Sequence, residues 1–493
     1  MLPKIAQSIQ KHQIVWIIAV AAFISLNKTC WQGFYWGVGE GPNSFNGIVI
    51  NGDTASYVRA SLELPMYLRG EVDVQRTPVY PLFLALCRTI AGEQYYLFLV
   101  VFFQYFLSWI AVYVFYQTCN LLFKTKTAIF SATAAFIGFR YVILDMNNSV
   151  SSESMSVSFI VFFFYGITSY LYKPVRWKAV AVGLSLFIAI MLRPAFLLFV
   201  PIILLLWIAL LLQRSKNEPD TVNFKSSAVY GFLATLLSIV LLLSYSYGVY
   251  KKCGVFNVTC IGAFNHLCCT VLAGIFDNGS VPEINDRIST LVDQWREKTD
   301  HQKTKNSELW KYQKWGDLST PLGYVLYSYP VPKLWNGADI DERGIVTTNS
   351  EAKILQYAND TFPINEMQRY AQQTIMRNKY AYAQFVLKKI YLNLYLNPVY
   401  WLTAYIGTVL SFIVFCFSLC SSVQRSTDKE QITLHGLLLL FIGSTVFTVF
   451  SSAMDTHERL CLPVIALWIF TVFIAVDRLF LFFQRKNVQE NVN

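Results

Sequence analysis

The chain has 493 residues, 55% of them hydrophobic, 16% aromatic and only 14% charged, and its mean hydropathy is positive. This balance excludes a soluble nucleic-acid-binding protein as the reason for the net charge of +10. Many apolar blocks approach the roughly 17–25 residues that cross a bilayer core, so the expected class is an all-α polytopic membrane protein with its Lys and Arg biased to cytoplasmic loops.

The first apolar block, 13–26, follows Lys4 and Lys11 and lacks a small-residue cleavage site, which predicts a retained span with a cytoplasmic N-terminus. Residues 29–94 then form the first external loop. It contains NGDTASYVRASLELPMYLRGEVDVQRTPVYP and continues into VYPLFLALCRTIAG, a segment too short to span and suited to a helix lying in the interface. Further spans are expected at 95–116, 127–145, 154–172, 178–192, 195–212, 228–248, 398–420, 434–453 and 460–483, about ten in all.

The loops test that arrangement. If every span crosses once, the cytoplasmic segments hold Lys124 and Lys126; Lys173, Arg176 and Lys178; Arg214, Lys216 and Lys225; Arg425 and Lys429; and Arg485 and Lys486, and each is basic. Both termini are then cytoplasmic. At Arg193-Pro194 a hairpin is preferred to a kink, because a single span over 178–212 is far longer than a bilayer needs. Three regions follow: an N-terminal transmembrane catalytic module (1–248), an external soluble domain of mixed but mainly helical character (249–397), and C-terminal transmembrane helices (398–493).

In the external domain, Trp295, Trp310, Trp315 and Trp335 serve packing and interfacial anchoring, or contact with carbohydrate or lipid. A helical pattern over about 364–394 runs back toward the membrane. Cys253, Cys260, Cys268 and Cys269 cluster where the compartment permits a disulfide, which is favoured over a metal site because His266 is the only nearby imidazole and no paired CxxC occurs. Cys30, Cys87, Cys119, Cys416, Cys420 and Cys461 read as small hydrophobes.

With this topology the unexplained polar residues fall on the external side. They are Asp53 and Arg76 in the first loop, Asp145 and Glu153 where two spans meet, Arg193 at a hairpin tip, and Asp455, His457, Glu458 and Arg459 between the last spans. Ionisable groups near membrane depth are costly and tend to be functional, so acids and arginines on one face point to an anionic ligand with proton chemistry. Asp53 stands where a helix can begin and could cap it, yet a carboxylate there is also placed to take a proton from an acceptor. Arg76 could snorkel at the interface, or present its planar fork of donors to a lipid phosphate.

Taken together, GDxxxYxxA (Gly52, Asp53, Tyr57, Ala60), R-x-P-x-YP from Arg76 through Tyr80 to Pro81, the SES around Glu153, the LRP at Arg193 and HER-x-x-LP from His457 to Pro463 resemble the GT-C glycosyltransferases. The nearest branch is that of the protein O-mannosyltransferases and the lipid A aminoarabinose transferase. The likeness covers mainly residues 1–212, with a weaker echo at 457–463. It implies inverting transfer of one sugar from a polyprenyl-phosphate donor to a lipid, glycan or protein acceptor on the external face. It assigns Asp53 as acceptor-side base, Glu153 or its competitor Asp145 as the second acid, and Arg76, helped by Arg193 or Arg459, as donor-phosphate ligands. Tyr57, Tyr80, His457 and Glu458 are further candidates. No cofactor is assigned, and because Thr54 follows Asp53 where many relatives carry a second acid, a divalent cation is not supported by the first-loop pattern.

Other classes make different demands. A flippase or transporter for a lipid-linked glycan is expected to show internal repeats or broken midplane helices, which the chain lacks. A polysaccharide polymerase or ligase rests on a large arginine-bearing external loop, and a scaffold gives no reason for the convergence of acids and arginines. Short loops and the lack of a retention signal favour a bacterial inner membrane with the site facing the periplasm.

Overall fold

The computed structural model describes residues 44–45, 48–49, 52–62, 64, 76–138, 146–212, 221–259, 261–276, 282–298, 305–309, 339–340, 346–347, 364–396, 406–417, 429–452 and 464–490. These residues are mainly helical, and the strands among them are two short antiparallel pairs. The first pair is β1 (Ser44–Phe45) with β2 (Ile48–Val49). Helix α1 (Gly52–Leu62) follows, then α2 (Val79–Leu122), α3 (Lys126–Gly138), α4 (Ser152–Tyr172) and α5 (Arg176–Leu192). After a 3-10 turn (Pro194–Phe196) come α6 (Phe199–Leu212), α7 (Thr221–Cys253), α8 (Ile261–Leu272) and α9 (Pro282–Lys298). The pair β3 (Asp339–Ile340) and β4 (Val346–Thr347) precedes α10 (Ile364–Arg377) and α11 (Lys379–Leu396). Helix α12 (Ile406–Phe417), α13 (Lys429–Ser452) and α14 (Ile465–Glu490) complete the described chain.

Among the described residues, five helical segments are long and apolar enough to cross a membrane: Val79–Leu122, Ser152–Tyr172, Pro194–Leu212, Ser226–Lys252 and Ile432–Val449. Their outer faces are what a bilayer solvates, since Phe98, Phe102 and Phe106 on α2 and Leu233, Leu237 and Val240 on α7 are exposed. The chain is therefore a mainly α-helical membrane protein. Of the remaining expected spans, 127–145 is represented by the 13 residues of α3, 178–192 by the 17 of α5 and 460–483 by α14. The span at 398–420 is described only over α12, and 13–26 lies outside the described residues.

Two backbone breaks shape the bundle where the expected interface helix and hairpin fall. Helix α2 is interrupted at Gly92 (φ 70°, ψ 171°), a conformation that glycine adopts without the steric cost of a Cβ. The segment before it, VYPLFLALCRTIA, is preceded by Pro78 and carries Pro81 in its first turn, where a missing N–H costs nothing. It buries Tyr80, Leu84 and Cys87 while exposing Leu82, Leu86 and Ile90. At the second break α5 ends at Leu192, Arg193 is extended (φ −146°, ψ 115°) and the chain restarts at Pro194. Two helices, not one kinked helix, occupy 178–212.

The main core surrounds α4, whose buried face meets α2, α5 and α14. Aromatic stacking closes it: Phe115 lies 4.2 Å from Phe136 and 4.1 Å from Phe470, and Phe199 lies 4.4 Å from Phe441. Helix α7 approaches α5 closely because Gly183 has no side chain; a Cβ there would meet Ala234 at 2.9 Å. Ser238 Oγ then reaches the Gly183 carbonyl at 3.0 Å, the small-residue contact by which helices associate in lipid.

The last helix is tied to α3 by a buried carboxylate. Asp477 accepts from the Lys124 N–H at 3.0 Å, the Thr125 N–H at 3.1 Å and Thr125 Oγ1 at 2.6 Å, satisfying donors ahead of α3. Asp477→Ala is expected to cost about 2–3 kcal/mol by leaving those donors unmet, with Asp477→Asn milder. Thermal unfolding in detergent checks this, and an unchanged midpoint for the alanine variant would show that the tie contributes nothing.

Helices α8, α9, α10 and α11 build a second core from Leu267, Cys268, Cys269, Ile288, Met367 and Tyr370 among others. It meets the main bundle through Val386, which packs on both cores, and through the Tyr382 hydroxyl, which donates to the Ser451 carbonyl. Cys268 and Cys269 are buried in this core; Cys260 and the Cys253 side chain, on which the expected disulfide also depends, lie outside the described residues. So do Trp310, Trp315, Trp335 and the side chain of Trp295.

Burial holds the His266 imidazole below its ordinary value of 6.5. The folded state therefore disfavours its charged form, so its contribution is fully present above about pH 6.5 and is lost as the pH falls below that. Acidification is expected to loosen this unit in limited proteolysis, and His266→Gln should flatten the dependence. An acid profile unaltered by that substitution would exclude His266 as its source.

Candidate functional site

Four separate stretches meet beside the start of α2. Helix α1 begins at Gly52, which puts Asp53 in its first turn instead of ahead of it. A carboxylate in that turn meets the positive end of the helix dipole. One side of α1 docks on the segment leading into α4: Thr54 Oγ1 donates to the Val150 carbonyl at 3.0 Å, and Tyr57 OH lies 2.7 Å from Ser152 Oγ. The spacing of three residues brings both onto one helical face.

Arg76 lies over this junction, its guanidinium carbon 4.7 Å from the centroid of the Tyr57 ring. Such a contact between cation and aromatic face strengthens where water is excluded, and Tyr57 is buried. Tyr80 meets Tyr57 edge-on at 4.9 Å and donates its hydroxyl to Gln104 Oε1 at 2.8 Å. Thr77 Oγ1 reaches the Leu192 carbonyl at 3.4 Å, bringing the Arg76 segment beside Arg193.

On that side Arg193 Nη1 lies 3.0 Å from Glu153 Oε1, with the arginine side chain 12% and the glutamate side chain 4% exposed. Glu153 sits in the first turn of α4, where its charge also faces that helix's positive end. Two charges this deep are tolerable because they compensate each other.

Five of the residues expected to form the site thus come together: Tyr57, Arg76, Tyr80, Glu153 and Arg193. Asp53 lies one helical turn before Tyr57, about 6 Å along the axis, and its side chain is outside the described residues. Asp145, Asp455, His457, Glu458 and Arg459 lie outside them as well. Among the described residues no group of three or more His, Cys, Asp or Glu is placed to hold a metal.

Neutral residues, with no charge to mark them in the sequence, organise this place. Gln104 Nε2 donates to the carbonyls of Asn147 at 2.8 Å and Ser149 at 3.0 Å, Tyr105 OH donates to Asn148 Oδ1 at 2.9 Å, and Ser154 Oγ donates to Asn147 Oδ1 at 2.5 Å. Gln104 within VVFFQYFLSW and the pair Asn147-Asn148 were visible as amides bordering apolar sequence, and that is the signal that could have found them. Arg88 was also missed. It donates to Ser61 Oγ at 3.0 Å, pairs with Glu93 at 3.1 Å and lies 4.6 Å from the Tyr96 ring, so it binds α1 to α2 across the Gly92 break.

Chemically, the arrangement offers two guanidinium groups on either side of a buried aromatic and hydroxyl-rich junction, with carboxylates in the first turns of two helices. Comparison with family models, with curated proteins and with solved structures returns no match to this chain.

Proposed function

We propose that the protein is a membrane glycosyltransferase that moves a single sugar, with inversion, from a polyprenyl-phosphate donor to an acceptor on the external face. The observation that carries the reading is the meeting of Arg76 and Tyr57 with the Glu153–Arg193 pair, from stretches far apart in the chain. In this reading the chain crosses a bacterial inner membrane about ten times, with both termini cytoplasmic and the site facing the periplasm. The exposed stripe of Leu82, Leu86 and Ile90 suits the first segment of α2 to the bilayer surface, where a lipid phosphate would arrive.

In the proposed reaction an acceptor hydroxyl or amine attacks the anomeric carbon as the bond from that carbon to the phosphate oxygen breaks on the opposite face. The electron pair leaves with the phosphate, and the acceptor proton passes to the Asp53 carboxylate. Arg76, with Arg193 or Arg459, stabilises the charge growing on the phosphate, so no general acid is needed. The pairing at 3.0 Å gives Glu153 a further task beside the acceptor or sugar: orienting Arg193.

Purified protein in nanodiscs, incubated with a panel of polyprenyl-phosphate sugars and analysed by mass spectrometry, tests this. Transfer with release of polyprenyl phosphate is the expected result. The absence of turnover with every lipid-phosphate donor, across lipid, glycan and peptide acceptors, would overturn it in favour of a transporter or scaffold.

A further inference from the structure

Gln104 is fully buried in the second segment of α2, and its whole amide is engaged. Its Oε1 accepts from Tyr80 at 2.8 Å while its Nε2 spends both N–H groups on the Asn147 and Ser149 carbonyls. The amide cannot be turned over, because its oxygen would then face two carbonyl oxygens. The Tyr80 hydroxyl and the 147–149 backbone are therefore held at fixed positions relative to one another.

We infer that Gln104 is a positioning residue for the anion-binding end of the site, acting through Tyr80 and Tyr57 on Arg76. Tyr80 fixes Tyr57 edge-on at 4.9 Å, and Tyr57 carries the Arg76 guanidinium at 4.7 Å. The same amide pins the carbonyls that lead into Ser152, which meets Tyr57 OH, and into Glu153, which holds Arg193. One buried side chain thus sets where both cations stand. Guanidinium groups recognise phosphate through directed donors, so their placement matters beyond their charge. The inference rests on the reading of Arg76 as a ligand of the donor phosphate.

The test uses the full chain in nanodiscs with undecaprenyl phosphate as the probe, its affinity measured by native mass spectrometry on the folded fraction. Arg76→Ala serves as the reference and is expected to weaken binding at least tenfold. Tyr80→Phe keeps the ring and loses only the hydroxyl link; Gln104→Met keeps the volume and loses the amide. Each is expected to weaken binding about 2–10-fold, the equivalent of one or two hydrogen bonds, and the double variant should lose less than the product of the two because both act on one chain of contacts. If the two substitutions lower thermal stability but leave affinity unchanged while Arg76→Ala weakens it, the positioning role is wrong and the functional reading survives. If Arg76→Ala itself leaves affinity unchanged, the functional reading falls and the inference with it. Should Gln104→Met fail to fold, Tyr80→Phe alone decides.

Discussion

Asp53→Asn is expected to lower sugar transfer by about 10²–10⁴-fold, the range over which a positioned general base contributes, while leaving the protein folded. The substitution separates catalysis from helix support. Asp53 lies inside the first turn of α1, where loss of a single negative charge costs only about 0.3–1 kcal/mol. A purely structural Asp53 therefore predicts a small stability change and normal turnover. Mass-spectrometric product analysis alongside a thermal melt distinguishes the two, and full activity in the well-folded variant would remove Asp53 as the base.

The second large effect belongs to the buried ion pair. Arg193→Met removes the guanidinium that lies 3.0 Å from a Glu153 carboxylate only 4% exposed, and Glu153→Gln removes the negative charge from beside Arg193. Either single change is expected to cost about 3–5 kcal/mol, enough to deplete the folded, monodisperse fraction on size-exclusion chromatography. The double variant, with both charges gone, should recover a large part of that loss. Recovery without transfer activity would show that the pair stabilises the fold and that its charges also serve the reaction. Equal losses in single and double variants would mean that the pair is not energetically coupled.

These effects belong to different links of the chain from sequence to function. The Glu153–Arg193 pair is first a matter of packing, because the charges must be neutralised wherever α4 and the α5–α6 break bring them together. In the proposed reaction Asp53 is a matter of chemistry, since a first-turn carboxylate is easily replaced as a structural element.

Much of the architecture was legible from local sequence. An apolar run long enough to cross a bilayer must satisfy its backbone internally, so α2, α4, α6, α7 and α13 were readable as helices from composition alone. The break at Arg193-Pro194 was readable because proline interrupts the helix there and a single span over 178–212 is far longer than a bilayer needs. The end of the interface helix at Gly92 was legible too, because VYPLFLALCRTIAG is too short to span; what the structure added is the backbone there, with a φ of 70° that glycine adopts without cost. The candidate site was legible in part. Charges in apolar surroundings advertise themselves through their desolvation cost, which is why Glu153, Arg193 and Arg76 were found, with Tyr57 and Tyr80 following from the motifs that carry the family likeness. Gln104, Asn147 and Ser152 carry no charge and became visible only through their partners.

By itself the sequence determined that this chain lives in a membrane, where its helices run, and which ionisable residues stand out, because hydropathy and backbone restriction act over neighbouring residues. Only the tertiary structure decided that Glu153 holds Arg193, that Tyr57 carries Arg76 and that a buried amide ties both places together. Those contacts join residues from about twenty to about a hundred positions apart, where no local pattern constrains the pairing and helix packing alone selects it.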